Sequence, residues 1–539
     1  MGGIPLSEPK KQNYLHGAAI LAAGVVIMKI LGAIYKIPLR NILGDAGYGY
    51  FNAAYSIYNV LLTISTAGLP VALSRMISAS STLGRYNQVR RTFRVAYITL
   101  AVLGALLSAL MLLFPSEMAI ILVHTPESTQ SVFALAPAVL LVCITSAYRG
   151  YIQGHADMRP TTVGQVLEVL VKVIVGLTLA EWLLHTGESV PMASAGAIFG
   201  VTAGALAALI YMAVKCRPYR ALPDSADVPQ SARSTFARFV KIGVPITLGA
   251  SVMSVITLLD TNLVNVRLLD AGLGNDLADT LYGSYSAMLT LYNLPAAFIT
   301  PLTISVVPAI SAAVAARDNA GAGEIAESSL RISTVISLPM GVGLSVLAFP
   351  IVNVLYSDTH EIGPTLLVWL GVASFFVCLA LMTNAILQAG GNEKYPVWSM
   401  LAGGAVKLIV NWVLVGDPEV NIVGAPIGTI CCYAVMCVMN ALFMLKCMKR
   451  PPNFAKVLLR PALSSAVMGL SAWAVYGLAV RFIGGPDMGR LMMTLCMCAA
   501  IFVAVAVYLV MVIATRAVTY EDMKLVPKGE KLARILHIK

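Results

Sequence analysis

Six ionisable side chains fall inside long apolar stretches of the sequence: Lys29, Arg75, Glu168, Lys172, Asp260 and Lys407. A charge facing lipid is costly, so such residues turn toward a cavity or a partner. Four of the six are cations, and a shared central cavity holding them would be electropositive and would select an anion. A phosphate or pyrophosphate head group is the natural ligand, because Arg binds it bidentately and Lys acts as a point charge. Lys36 and Arg40 beside the first stretch, and Arg149 ending the fourth, are boundary cases whose long stems can snorkel to the interface. Glu168 and Lys172 stand one turn apart, so mutual pairing competes with the cavity reading. Lys29 and Arg75 have no acid in their own stretches, which favours the cavity for them.

Asp260 lies in Thr257-Leu258-Leu259-Asp260-Thr261-Asn262, an acid among oxygen donors. It could hold a coupling sodium ion or proton, with Thr257, Asn384 and Asn411 as further candidates, or it could pair with Lys407. For Asn384, Gln388 and Asn411, hydrogen bonding between helices is the favoured role. No catalytic residue and no cofactor are expected. Gly341-Val342-Gly343 lacks the third glycine and the strand of a nucleotide loop, and no G-x-x-x-x-G-K-[ST] occurs, so this is not an ATP-driven pump on its own. The nine Cys show no CxxC pair or metal spacing and read as small packing residues. Gly196, Gly200 and Gly204 form GxxxGxxxG, which permits close helix approach.

These residues must be positioned by a membrane bundle. Of 539 residues, 58% are apolar and only 12% charged, far from the balance of soluble domains. Apolar stretches near 14–36, 50–80, 95–114, 130–153, 160–184, 191–215, 238–266, 280–313, 331–350, 363–388, 396–415, 421–445, 457–480 and 491–515 predict an all-α polytopic membrane protein with fourteen spans. The first is expected to be retained, since it contains Lys29 and is not followed by an A-x-A-like site. The net charge of +11 would suggest nucleic acid in a soluble protein, but here its distribution matters more. With the N-terminus inside, outer connections carry five Lys and Arg and inner ones 28, which places both termini in the cytoplasm and argues against a nucleic-acid partner.

The chain also repeats itself. Asp45-Ala46-Gly47-Tyr48-Gly49 is echoed by Asp270-Ala271-Gly272-Leu273-Gly274, and Tyr58-Asn59 by Tyr292-Asn293. Ile152-Gln153, Pro160 and Lys172 are echoed by Leu387-Gln388, Pro396 and Lys407. The offset corresponds to six spans, so the halves share one orientation, as in parallel-repeat transporters. The expected organisation is an N-lobe over 1–215, a basic cytoplasmic linker over 216–237 and a C-lobe over 238–450. Two additional helices over 451–515 and a cytoplasmic tail over 516–539 follow.

The stretches Lys29-Ile30-Leu31-Gly32, Asn41-Ile42-Leu43-Gly44-Asp45, Gly68-Leu69-Pro70-Val71-Ala72-Leu73-Ser74-Arg75 and Arg149-Gly150-Tyr151-Ile152-Gln153-Gly154 carry a resemblance, as does the tail Glu521–Gly529. Together they resemble the polysaccharide-transporter and MurJ-like branch of the MOP flippase superfamily, nearest to its stage V sporulation protein B and YtgP-type members. The resemblance implies a bilobed fourteen-helix flippase that moves undecaprenyl-pyrophosphate-linked glycans, most often the peptidoglycan precursor lipid II, to the outer leaflet by alternating access. It implies substrate-binding roles for Lys29, Lys36 and Arg75, with Arg149, Glu168, Lys172 and Lys407 as further candidates. It also implies an acid for a sodium site at Asp260. Two departures stand out: Lys29 replaces an Arg common in MurJ proteins, losing bidentate geometry, and the eighth span has no Arg. A monomer in the bacterial cell membrane is expected, with membrane lipids and the cell-wall synthesis machinery as partners. Sodium, protons and membrane potential all stay open as the driving force. Competing readings are a flippase for a capsule, teichoic or spore-wall unit, a MATE-like cation-coupled exporter, and a membrane glycosyltransferase. The last fits poorly with outer connections that are all short.

Overall fold

The computed structural model describes residues 11–155, 157–220, 222–356, 360–483 and 489–518; within the first helix, many side chains before residue 34, including that of Lys29, lie outside the description. The tail stretch Glu521–Gly529 also lies outside the described residues. Among the described residues every regular element is helical. In order they are α1 (Lys11–Thr66), α2 (Leu69–Thr82), α3 (Tyr86–Leu113), α4 (Pro115–Val123), α5 (Thr129–Gly154), α6 (Arg159–His185) and α7 (Val190–Arg220). Then come α8 (Ala232–Asp270), α9 (Asn275–Tyr292), α10 (Leu294–Ala315), α11 (Asn319–Val346), α12 (Ala348–Leu355), α13 (Gly363–Ala389), α14 (Lys394–Leu414), α15 (Gly424–Cys447), α16 (Phe454–Ile483) and α17 (Arg490–Ala514).

Thirteen helices among the described residues are long and apolar enough to cross a membrane. The difference from fourteen arises at the start, where 14–36 falls largely on side chains outside the description and the first qualifying segment runs Ile34–Thr82. Two expected spans are broken helices. The stretch 50–80 breaks between α1 and α2, and 280–313 breaks between α9 and α10, each second half opening on Leu-Pro: Leu69-Pro70 and Leu294-Pro295. Proline suits a helix start because the amide it lacks would have no partner there. This shared break sets the register of the repeat. Tyr58-Asn59 lies mid-helix in α1 and Tyr292-Asn293 at a break, so their likeness in sequence is not an equivalence in structure.

By contact the chain divides into two compact units, one of Met1–Tyr35 and Tyr50–Thr261, the other of Lys36–Gly49 and Asn262–Lys539. The stretch Lys36–Gly49 of α1 thus groups with the second unit and most of α8 with the first. At Gly44 the φ of 70° lies in the left-handed region that glycine tolerates, and there α1 turns. In the second unit, α16 packs on α11 and α17 on α12 around Leu347, Met468, Ala472, Ala500 and Ala504.

The connection between α7 and α8 holds Asp224 and Asp227 and no cation; the basic residues of 215–241 ride on the flanking helix ends. It is clamped to the start of α3. The backbone amides of Asn87 and Gln88 each donate to Asp227 at 2.9 Å, Gln230 N donates to Gln88 Oε1 at 2.7 Å, and Arg90 Nη2 donates to Leu222 O at 2.8 Å. An anion at a helix N-terminus is favoured because unpaired amides and the helix dipole converge there. Partial desolvation pushes the Asp227 carboxyl up, but its hydrogen bonds with Ser225, Asn87 and Gln88 outweigh this and hold it below the usual value. The clamp is therefore complete above the ordinary carboxylate range and is lost as pH falls through the lowered, folded-state pKa. The protection factors of the Asn87 and Gln88 amides, with the intrinsic pH dependence of exchange divided out, should fall on acidification, and an Asp227→Asn variant should show lower protection at neutral pH. Equal protection in variant and wild type would remove the carboxylate from the clamp.

Candidate functional site

A glycine stripe sets the geometry of the first unit's polar centre. Gly196, Gly200 and Gly204 on α7 lie against α6 so closely that a Cβ at Gly200 would come within 2.7 Å of Lys172 O and of Gly176, and one at Gly204 would overlap Glu168 O. Only hydrogen fits, and α6 therefore lies flush on α7 with the backbone of Glu168 and Lys172 in the seam. Both side chains are half-buried.

Glu168 does not pair with Lys172 in the local i,i+4 manner. Its Oε2 accepts from Arg149 Nη2 at 2.6 Å, tying α5 to α6. Lys172 Nζ instead sits 5.4 Å from the ring centre of Tyr35 and 5.7 Å from that of Tyr55, both on α1. Such contacts hold an ammonium for about 0.5–2 kcal/mol while leaving its N–H donors for other acceptors. Buried Tyr58 lies within the field of Glu168 and Arg149, and Arg149 Nε is buried with no hydrogen-bond partner. The centre therefore combines two cations, one acid and a wall of tyrosines, with a donor unspent.

The remaining candidates are placed as follows. Lys29 lies on α1, its side chain outside the described residues, and Lys36 is half-buried on the same helix. Arg75 is exposed: α2 buries Leu69, Pro70, Ala72, Leu73, Met76 and Ile77, leaving Arg75 on the opposite face. The face is fixed by Gly150 and Gly154 of α5, where a Cβ would come within 2.7 Å of Pro70 O and of Ile77. Asp260 is buried on α8, whereas Thr257 is exposed with its hydroxyl donated to Met253 O of its own helix. No group of three or more His, Cys, Asp or Glu that could hold a metal occurs among the described residues.

Arg40 does not snorkel. It is 0% exposed, its Nε and Nη2 donating to Asp45 Oδ1 at 2.8 and 2.7 Å. Asp45 Oδ2 accepts from Ser284 Oγ at 2.7 Å and from His360 N at 3.0 Å, and the Arg40 guanidinium lies 5.4 Å from the ring centre of Tyr356. The Asp-Ala-Gly-Tyr-Gly stretch is thus a fastening of the α1 bend to α9 within the second unit. Gly49 permits it, since a Cβ there would meet Asp279 O at 2.9 Å.

Elsewhere in that unit, half-buried Lys407 on α14 lies within the field of Tyr433, which hydrogen-bonds Tyr292. Asn384 Oδ1 accepts from Asn440 Nδ2 at 2.8 Å; Asn440 also donates to Thr383 Oγ1 at 2.9 Å and accepts from Ser399 Oγ at 2.6 Å, joining α13, α14 and α15. Asn411 is fully buried opposite Gly428, where any Cβ would overlap its Oδ1. Sequence reasoning had singled out neither Tyr35, Tyr55 nor Asn440. Tyrosines are common at membrane interfaces, and nothing in their local sequence marks these as partners of a lysine far along the chain.

Residues 14–314 match the polysaccharide biosynthesis protein family over more than half of the chain. The protein belongs to this family. Among relatives from Bacillus subtilis (strain 168), the uncharacterized membrane protein YabM is 27% identical over 98% of this chain and 97% of its own. Stage V sporulation protein B is 25% identical over 78% and 81%, and the lipid II flippase MurJ 25% identical over 92% and 94%. The fold matches a lipid II flippase MurJ structure in an inward closed conformation, with TM-score 0.69 and 14% identity over 94% of this chain and 100% of that one. It also matches an inward-facing multidrug resistance MATE transporter of the MOP superfamily, with TM-score 0.63 and 14% identity over 79% and 97%. The all-helical architecture is therefore that of MOP transporters and flippases, and these relatives are not enzymes. Within the polysaccharide biosynthesis family match fall Arg75, Arg149, Glu168, Lys172 and Asp260; Lys407 and the Asn440 network lie beyond it.

Proposed function

We propose that this protein is a flippase for an undecaprenyl-pyrophosphate-linked glycan, with lipid II as its cargo, moving it from the cytoplasmic to the outer leaflet by alternating access. The observation that carries the reading is the Lys172, Arg149 and Glu168 centre of the first unit, cationic on balance and set on tyrosines inside a membrane bundle. The pyrophosphate would meet Lys172 and the unspent Nε of Arg149, and Lys29, Lys36 and Arg75 would add charge along its path. Lys407, on α14, would be the intramembrane cation that the second unit offers to an anionic ligand. Likeness to the Bacillus subtilis lipid II flippase over 92% of the chain supports the cargo, and the cation count on inner connections supports cytoplasmic termini. Asp260, a buried acid on α8, would bind the coupling sodium ion or proton. A cationic-drug exporter, which the MATE likeness in fold would allow, fits less well with a centre whose unmatched charge is positive.

The test is complementation of a lipid II flippase depletion strain, with externally accessible lipid II quantified. Wild type should restore growth and outer-leaflet lipid II. A Lys172→Gln variant that inserts normally should lose about tenfold of the signal, the scale of one charge-assisted hydrogen bond. Failure by well-inserted wild type would remove lipid II as cargo.

A further inference from the structure

Outside that centre, the first unit has a second cationic and aromatic feature. Arg90, Phe93, Arg94 and Tyr97 of α3 face Tyr148 and Tyr151 of α5 around a cleft of about 450 Å³, within the range of small-ligand sites. The α3 spacing of three, four and seven residues puts its four members on one face. The aromatic walls are mutually braced: Phe93 lies 4.4 Å from Tyr151 and 5.9 Å from Tyr148, and Tyr97 lies 5.8 Å from Tyr148, centre to centre. The Tyr151 hydroxyl donates to Tyr219 O at 2.9 Å, so its ring is held as a wall. Among the described residues the lining contains two cations and no acid.

We infer that this cleft binds the head group of an anionic phospholipid, its phosphate on Arg94 and Arg90. Two observations select a lipid. Complementarity favours an anion, because no described residue of the lining carries a charge that neutralises the two guanidinium groups. One turn beyond Arg94 begins an exposed apolar row along α3, Ile98, Val102 and Leu106, on which an acyl chain can lie while the phosphate stays at the interface. Tyrosines beside such a head group are in the place where amphipathic rings are most stable. Arg90 adds a consequence: its Nη2 also holds Leu222 O and Pro223 O of the connection to α8, so an arriving phosphate competes for the donor that pins this connection. The lipid would thereby act on the clamp formed by Asp227.

Full-length protein in detergent, titrated with phosphatidylglycerol or phosphatidylcholine of equal chain length and read by native mass spectrometry, tests this without any transport assay. Wild type should prefer phosphatidylglycerol, and Arg94→Gln should weaken that lipid about fivefold with phosphatidylcholine unchanged. Arg159→Gln, which removes an exposed cation at the start of α6, should leave both affinities as they were. No preference in wild type, no loss in Arg94→Gln, or an equal loss in Arg159→Gln would overturn the site. The readout is indifferent to the cargo, so failure of the flippase assignment would leave it standing.

Discussion

An Asp45→Ala variant is expected to lose about 3–5 kcal/mol of stability, the cost of breaking a buried ion pair. Arg40 has no access to solvent, and its Nε and Nη2 both donate to Asp45 Oδ1. The same substitution also frees Ser284 Oγ and His360 N from Oδ2, so the α1 bend loses one tie to α9 and one to the segment before α13. Chemical unfolding of purified protein in detergent gives the measurement. A paired Arg40→Met, Asp45→Leu variant should recover most of the loss, because two apolar groups of similar volume leave no charge to desolvate. If the single variant unfolds with the wild type, the network is not what fastens the bend.

Arg149 should separate transport from stability. Arg149→Lys keeps a cation near Glu168 but gives up the planar fork, which offers one arm to Glu168 and keeps Nε for another acceptor. It is expected to insert and unfold like wild type, with translocation of lipid-linked substrate in proteoliposomes reduced about tenfold. Arg149→Ala strands Glu168, whose side chain keeps 23% of its exposure, so water softens the penalty to about 1–2 kcal/mol. Its translocation should fall about a hundredfold, the upper end for one lost charge-assisted contact. Full activity in Arg149→Lys would reduce the pair to a staple between α5 and α6.

The centre was partly legible before any fold was known. Glu168 and Lys172 announce themselves because a charge within twenty apolar residues is conspicuous. The partner of Glu168 was not legible: an i,i+4 lysine is the local default, but the seam between α6 and α7 puts Arg149 of α5 closer. Arg40 shows the same limit from the other side. At a span boundary a cation has water within reach by sequence, and only the bend at Gly44 returns Asp45 onto it. The quoted glycines of Arg149-Gly150-Tyr151-Ile152-Gln153-Gly154 prove to seat α2 and so choose which face carries Arg75.

The sequence by itself determined the solvent, the helical class and the positions of the intramembrane charges. Each follows from composition or from spacing along one chain, where hydrophobic length and charge cost act residue by residue. Tertiary structure decided which charges pair, which lysines rest on tyrosines, where the broken helices restart and that the connection between α7 and α8 is an acidic clamp. Those outcomes depend on how closely helices distant in sequence can approach. That approach is set by the absence of a few Cβ atoms on facing surfaces, a property of pairs of helices that neither member displays alone.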